Sequence, residues 1–127
     1  MKRKGEKKVF MLTFIAYPKC STCRRAKAEL QELGLDFEER DIVTQTPKAE
    51  ELLAWLKAGE FPIKAFFNTS GQSYRALGLK DKVADLQAEE AARLLASDGM
   101  LIKRPLLVKD GQLLQIGHRK SYDALNL

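Results

Sequence analysis

The apolar positions of the chain change period several times, and each change marks an element. The run Val9-Phe10-Met11-Leu12-Thr13-Phe14-Ile15-Ala16-Tyr17 is rich in β-branched and aromatic residues and predicts a first buried strand, ended by Pro18. Cys23, Ala26, Leu30 and Leu33 then recur at helical spacing, which predicts a helix over residues 21–33 with Gly34 as its C-terminal cap. Residues 37–43 alternate in part and predict a second strand. Thr46 and Pro47 read as N-cap and first helical residue of a second long helix, which carries Leu52, Leu53, Trp55 and Leu56 and ends at Gly59.

The middle of the chain is less regular. Pro62 predicts a helical turn through Ile63, Phe66 and Phe67, and Asn68-Thr69-Ser70-Gly71 is turn chemistry. Ser73 opens a short helix closed by Gly78, and a further helix is predicted over residues 89–96. After Pro105 the period shortens again. Leu106-Leu107-Val108 and Leu113-Leu114-Gln115-Ile116 flank Asp110-Gly111 and predict a β-hairpin, followed by a short helix over residues 121–125. A βαβ start and a hairpin finish predict an α/β fold of thioredoxin-like, glutaredoxin type: a mixed sheet flanked by helices, with a helical insert.

Charge sharpens the domain organisation. The chain has 127 residues and a net charge of +5. Lys2, Arg3, Lys4, Lys7 and Lys8 against Glu6 put most of that charge in residues 1–8. We therefore expect a basic, solvated N-terminal tail over residues 1–8 and one domain over residues 9–127. The folded body is close to neutral, so no direct nucleic-acid binding is expected. The tail and the apolar run after it mimic a secretion signal, but a buried strand explains that run better. No apolar run approaches the ~20 residues that span a bilayer, so no membrane partner and a cytoplasmic location are expected.

Two cysteines, Cys20 and Cys23, carry the chemistry. A secreted disulfide scaffold would use more cysteines, and a zinc site would need a second ligand pair that one histidine, His118, does not supply. Redox chemistry remains. Cys20 falls between the first strand and the first helix, where unpaired N–H groups and the helix dipole favour thiolate, and Lys19 and Arg24 add positive charge. Cys23 lies nearly one turn further on the apolar stripe. Cys20 is thus the expected attacking cysteine and Cys23 the resolving one. Arg104-Pro105 puts a proline before the third strand, where thioredoxin folds carry a cis proline facing the cysteines; residue type alone leaves its isomer open. His118, alone near a loop, reads as a surface residue.

The segments Tyr17-Pro18-Lys19-Cys20-Ser21-Thr22-Cys23-Arg24-Arg25-Ala26 and Leu101-Ile102-Lys103-Arg104-Pro105 resemble the arsenate reductase-like family, which also holds the Spx and MgsR redox regulators. Phe66-Phe67-Asn68-Thr69-Ser70-Gly71, with Tyr74-Arg75 and Leu77-Gly78-Leu79-Lys80, resembles the middle segment of that family. The resemblance implies a thioredoxin fold and a redox role, with Cys20, Cys23 and Arg104 as site residues. It implies no bound cofactor, and glutathione or a protein thiol as reductant. Its alternative implication is an Spx/MgsR-type regulator that binds the RNA polymerase α subunit. The family's reductases surround their oxyanion with three arginines. Arg104 matches one, Asn68 stands where the second is expected, and His118, beside Arg119, stands near the third. Losing two bidentate forks suits the site better to disulfide exchange than to holding arsenate.

Overall fold

The computed structural model describes residues 10–127; the basic segment over residues 1–8 lies outside the described residues. Strand β1 (Leu12–Ala16) leads into helix α1 (Ser21–Glu32), strand β2 (Glu38–Asp41), helix α2 (Ala49–Ala58), short helix α3 (Gln72–Ala76), helix α4 (Ala88–Ser97) and strands β3 (Leu106–Lys109) and β4 (Gln112–Ile116). The sheet runs β2-β1-β3-β4. β1 and β2 are parallel, and β3 is antiparallel to both β1 and β4. This is the mixed, helix-flanked sheet of a thioredoxin-like fold, with 3₁₀ turns and α3 forming the insert between α2 and α4.

Alternation along the inner strands divides the core into two layers. Leu12, Phe14 and Leu107 face α1 through Ala26 and Leu30, together with Tyr122. Ile15, Leu106 and Val108 face the other way, onto α2, α4 and the insert through Leu52, Leu56, Phe66 and Leu95. Burying a side chain of this size is worth roughly 1.5–3 kcal/mol, so both layers hold the sheet from which the cysteine loop projects.

Several expected boundaries move, each for a local reason. β2 stops at Asp41 because its carboxylate accepts the N–H groups of Val43 and Thr44 and turns the chain. Thr46 does not cap α2: its hydroxyl donates back to the Ile42 and Val43 carbonyls. Lys48 takes the N-cap place, and Glu51 accepts its N–H at 3.0 Å. Glu90 does the same for Gln87, one residue before α4. The 3₁₀ turns Leu79–Asp81, Val83–Asp85 and Gly99–Leu101 have no sequence signal that outweighs their turn-like composition. The hairpin turn forms as expected, with Asp110 at φ 49° and Gly111 at φ 84°.

The insert is tied back to the sheet next to the cysteine loop. Phe67 bridges Ile102, Asn68 N–H donates to Leu101 at 2.7 Å, and Lys103 N–H donates to Phe66 at 2.8 Å. The Arg104–Pro105 bond is cis. Gly99 seats this segment against the carbonyl of Ile42, where an added Cβ would clash with backbone. Gly99→Ala should therefore lower stability by about 1–3 kcal/mol, read as an earlier urea midpoint; an unchanged midpoint would show that the close approach is soft.

Candidate functional site

Cys20 is the N-cap of α1, in extended conformation at φ −96° and ψ 120°. Its N–H donates to the Tyr17 carbonyl at 3.1 Å, which closes the turn after β1. Its sulfur accepts the Cys23 N–H at 3.2 Å, one of the donors that a helix start leaves unpaired. Cys20 is half-buried; Cys23 is 3% exposed. Both are free thiols. The order read from spacing, an outer Cys20 and an inner Cys23, is the order observed.

Their environments push the two thiols apart. Partial burial by itself raises Cys20. Hydrogen bonds from the Cys23 side chain and backbone, then the charge and hydrogen bond of Arg104, outweigh it, and the net direction is down. Burial comes first for Cys23 as well and is reinforced by hydrogen bonding to Cys20 and by charge repulsion from it. Cys23 is pushed up to about 12 despite opposing contributions from the Tyr17 backbone and Arg104. The positive charge acting on Cys20 is thus Arg104's. Lys19, expected to help, is exposed, and Arg24 faces a cavity of about 480 Å³ on the Cys23 side of the loop.

Cys20 opens into a different cavity, of about 440 Å³. Asn68, Arg104 and His118, the three positions compared with the family's arginines, all line it. Arg25, Lys103 and Arg119 line it too, and among the described residues no acidic side chain does. Arg25 and Lys103 carried no separate sequence signal. They could have been found only by noticing that each flanks a motif, on the first turns of α1 and next to Arg104-Pro105. Among the described residues no group of three or more His, Cys, Asp or Glu side chains is placed to hold a metal ion.

His118 departs from its surface reading. Its side chain is 11% exposed, and its Nε2 meets Glu29 Oε1 at 3.1 Å. Its ring packs on Tyr122 with centroids 4.4 Å apart. Glu29, on α1, also accepts hydrogen bonds from the Ser121 hydroxyl and the Tyr122 N–H. The reason is topological: the chain returns from β4 across the face of α1, and Glu29 satisfies the donors at the start of the last 3₁₀ turn. His118 Nδ1 and the Tyr122 hydroxyl are buried without a hydrogen-bond partner among the described residues. Burial pushes the Tyr122 phenol up, with smaller contributions from the charges of Cys23 and Glu29.

A thioredoxin-like sheet, a cysteine pair at the start of α1 and an arginine before a cis proline define a class of thiol-bearing proteins. The ArsC family model matches residues 15–123, and the chain belongs to the ArsC family. YusI of Bacillus subtilis (strain 168) is 49% identical over 109 residues, which cover 86% of this chain and 92% of YusI. The regulatory protein MgsR of the same strain is 34% identical over 107 residues, 84% of this chain and 82% of MgsR. The crystal structure of a possible arsenate reductase from Streptococcus mutans UA159 matches with a TM-score of 0.90 at 61% identity, covering 92% of this chain and 98% of that one.

The Glu29 clasp has a pH signature. Hydrogen bonds from Ser121 and then Tyr122 hold its carboxyl below the usual range, with a smaller contribution from His118. A depressed carboxyl contributes stability that is present above its unfolded value of about 4.3 and is lost as pH falls through the folded value. Glu29→Gln should therefore cost about 1–2 kcal/mol at neutral pH. That difference should shrink as urea titrations move below pH ~4. A difference that stays constant with pH would mean that the charge of Glu29 contributes nothing.

Proposed function

We propose that the chain is a glutaredoxin-like thiol–disulfide oxidoreductase of the ArsC family, in which Cys20 attacks, Cys23 resolves and Arg104 steadies the anionic sulfur. One observation carries this reading: the Cys23 N–H and Arg104 converge on Cys20 in a cavity whose lining has basic but no acidic side chains, while the Cys23 thiol waits protonated behind it.

The reaction balances in two exchanges. The Cys20 thiolate attacks a substrate disulfide, forms a mixed disulfide and expels the distal sulfur as thiolate. That step removes the charge of Cys20, and with it the repulsion and the hydrogen bond that keep Cys23 protonated; the Tyr17 backbone and the Arg104 charge still favour the Cys23 thiolate. Cys23 then loses its proton, attacks Cys20 Sγ and releases the second thiol. The substrate disulfide has gained two electrons, and the Cys20–Cys23 pair has been oxidised. Two equivalents of glutathione, or one protein dithiol, would return the pair to the reduced form. This cycle needs a reducing compartment, and we assign the protein to the cytoplasm on that ground.

Arsenate is the weaker substrate in this reading. Asn68 is neutral, and His118 is engaged with Glu29, so Arg104 is the one match to the family's arginines that presents a bidentate fork. A regulatory reading, in which the same pair senses oxidants in a protein that binds the RNA polymerase α subunit, is favoured by the 34% identity to MgsR. Pull-down of polymerase from lysate with and without oxidant tests it: enrichment in either state supports the regulator, and none in both states removes it.

The enzymatic reading is tested by turnover with a panel of low-mass disulfides and arsenate. Cys20→Ser should abolish disulfide reduction. Cys23→Ser should still form a mixed disulfide at Cys20 but should need an external thiol to release it. Unchanged reduction by Cys20→Ser would sink the assignment.

A further inference from the structure

After the hydrogen bonds from Cys23, Arg104 supplies the positive charge that favours the Cys20 thiolate, yet little holds its side chain in place. Its guanidinium donates to the Met100 carbonyl at 3.5 Å, the long limit of a hydrogen bond. Among the described residues no carboxylate pairs with it. It borders a cavity of about 440 Å³ into which a long, flexible side chain could swing. Besides Cys20 itself, it meets the ring of Tyr17, with the guanidinium carbon 5.3 Å from the ring centroid.

We propose that Tyr17 is a positioning residue, whose ring face seats the Arg104 guanidinium towards Cys20. Tyr17 is well placed for this. It follows β1 directly, and its carbonyl accepts the Cys20 N–H, so ring and nucleophile are fixed by one backbone turn. Its ring packs against the core cluster formed with α2, α4 and the insert. It also walls the cavity that Cys23 borders, on the side of the loop away from the Cys20 cavity.

The choice of an aromatic partner has a physical reason. A carboxylate would pin arginine more firmly, but it would cancel the charge that favours the thiolate and would repel an incoming anion. A ring face attracts the guanidinium through its quadrupole and leaves the net positive charge intact. Arg104 is therefore anchored without being neutralised. The phenolic hydroxyl has no part in this, so phenylalanine should serve equally well.

The test reads the thiol, not turnover, so it stands apart from the enzymatic reading. The rate of Cys20 alkylation by iodoacetamide is followed against pH, by mass of the modified peptide, in the full chain and in Tyr17→Phe, Tyr17→Leu, Arg104→Met and the Tyr17→Leu/Arg104→Met pair. Tyr17→Phe should match the unmodified chain. Tyr17→Leu should lower the thiolate fraction at neutral pH by about two- to fivefold. Arg104→Met should lower it further, and adding Tyr17→Leu to Arg104→Met should change nothing more. The proposal is overturned if Tyr17→Leu titrates like the unmodified chain, if Tyr17→Phe shifts as far as Tyr17→Leu, or if the two substitutions add in full. A readout that needs no variant covers the case in which Tyr17→Leu does not fold: the Arg104 side-chain protons should show upfield ring-current shifts by nuclear magnetic resonance. Random-coil shifts there would also overturn it.

Discussion

The hydrogen bond from the Cys23 N–H to the Cys20 sulfur, with Arg104 on the same atom, is the contact around which the site is arranged. A half-buried thiolate loses hydration, and that loss must be offset by fixed donors and charge. The first turn of α1 supplies the donor because a helix start leaves N–H groups unpaired. The charge comes from a residue more than eighty positions away in sequence, brought to the loop by β3 pairing antiparallel with β1. The fold's contribution to the chemistry is this meeting of a helix start with the segment that precedes β3.

The same contact makes the two thiols unequal, and in the proposed exchange that inequality sets the direction. Cys23 is held protonated first by burial and then by the hydrogen bond and charge of Cys20. Only the first of these persists once Cys20 is bound in a mixed disulfide. In the exchange we propose, Cys20 releases its resolving partner by reacting. Among the described residues the cavity on the Cys20 side carries basic groups without acidic ones, whereas the cavity on the Cys23 side mixes Arg24 and Lys27 with Glu39 and Asp41. The proposed exchange would draw an anionic disulfide to the Cys20 side.

Much of this was legible in the sequence, and the rest was hidden for identifiable reasons. Strand and helix order, the hairpin turn at Asp110-Gly111 and the placement of Cys20 outside and Cys23 inside the start of the helix follow from local period and turn chemistry. Thr46 misled because its hydroxyl found nearer acceptors in the Ile42 and Val43 carbonyls than the helix it precedes. Lys19 and Arg24 misled because sequence proximity is not spatial proximity: Lys19 is exposed, Arg24 lines the cavity bordered by Cys23, and the charge on Cys20 arrives with Arg104. His118 could not be read because its partner, Glu29, lies on α1, and only the return of the chain after β4 brings the two together. What spacing cannot encode is long-range pairing of this kind.

The central claim is that Cys20 gives up its proton more readily than an ordinary thiol while Cys23 holds its own. Thiolate ultraviolet absorbance of the reduced chain, followed across pH and compared with Cys20→Ser, measures this directly. The account predicts a single transition below the ordinary thiol value of about 8.5, lost in Cys20→Ser, with no second transition before alkaline unfolding. Two overlapping transitions in the ordinary thiol range, or a low transition that survives in Cys20→Ser, would contradict it.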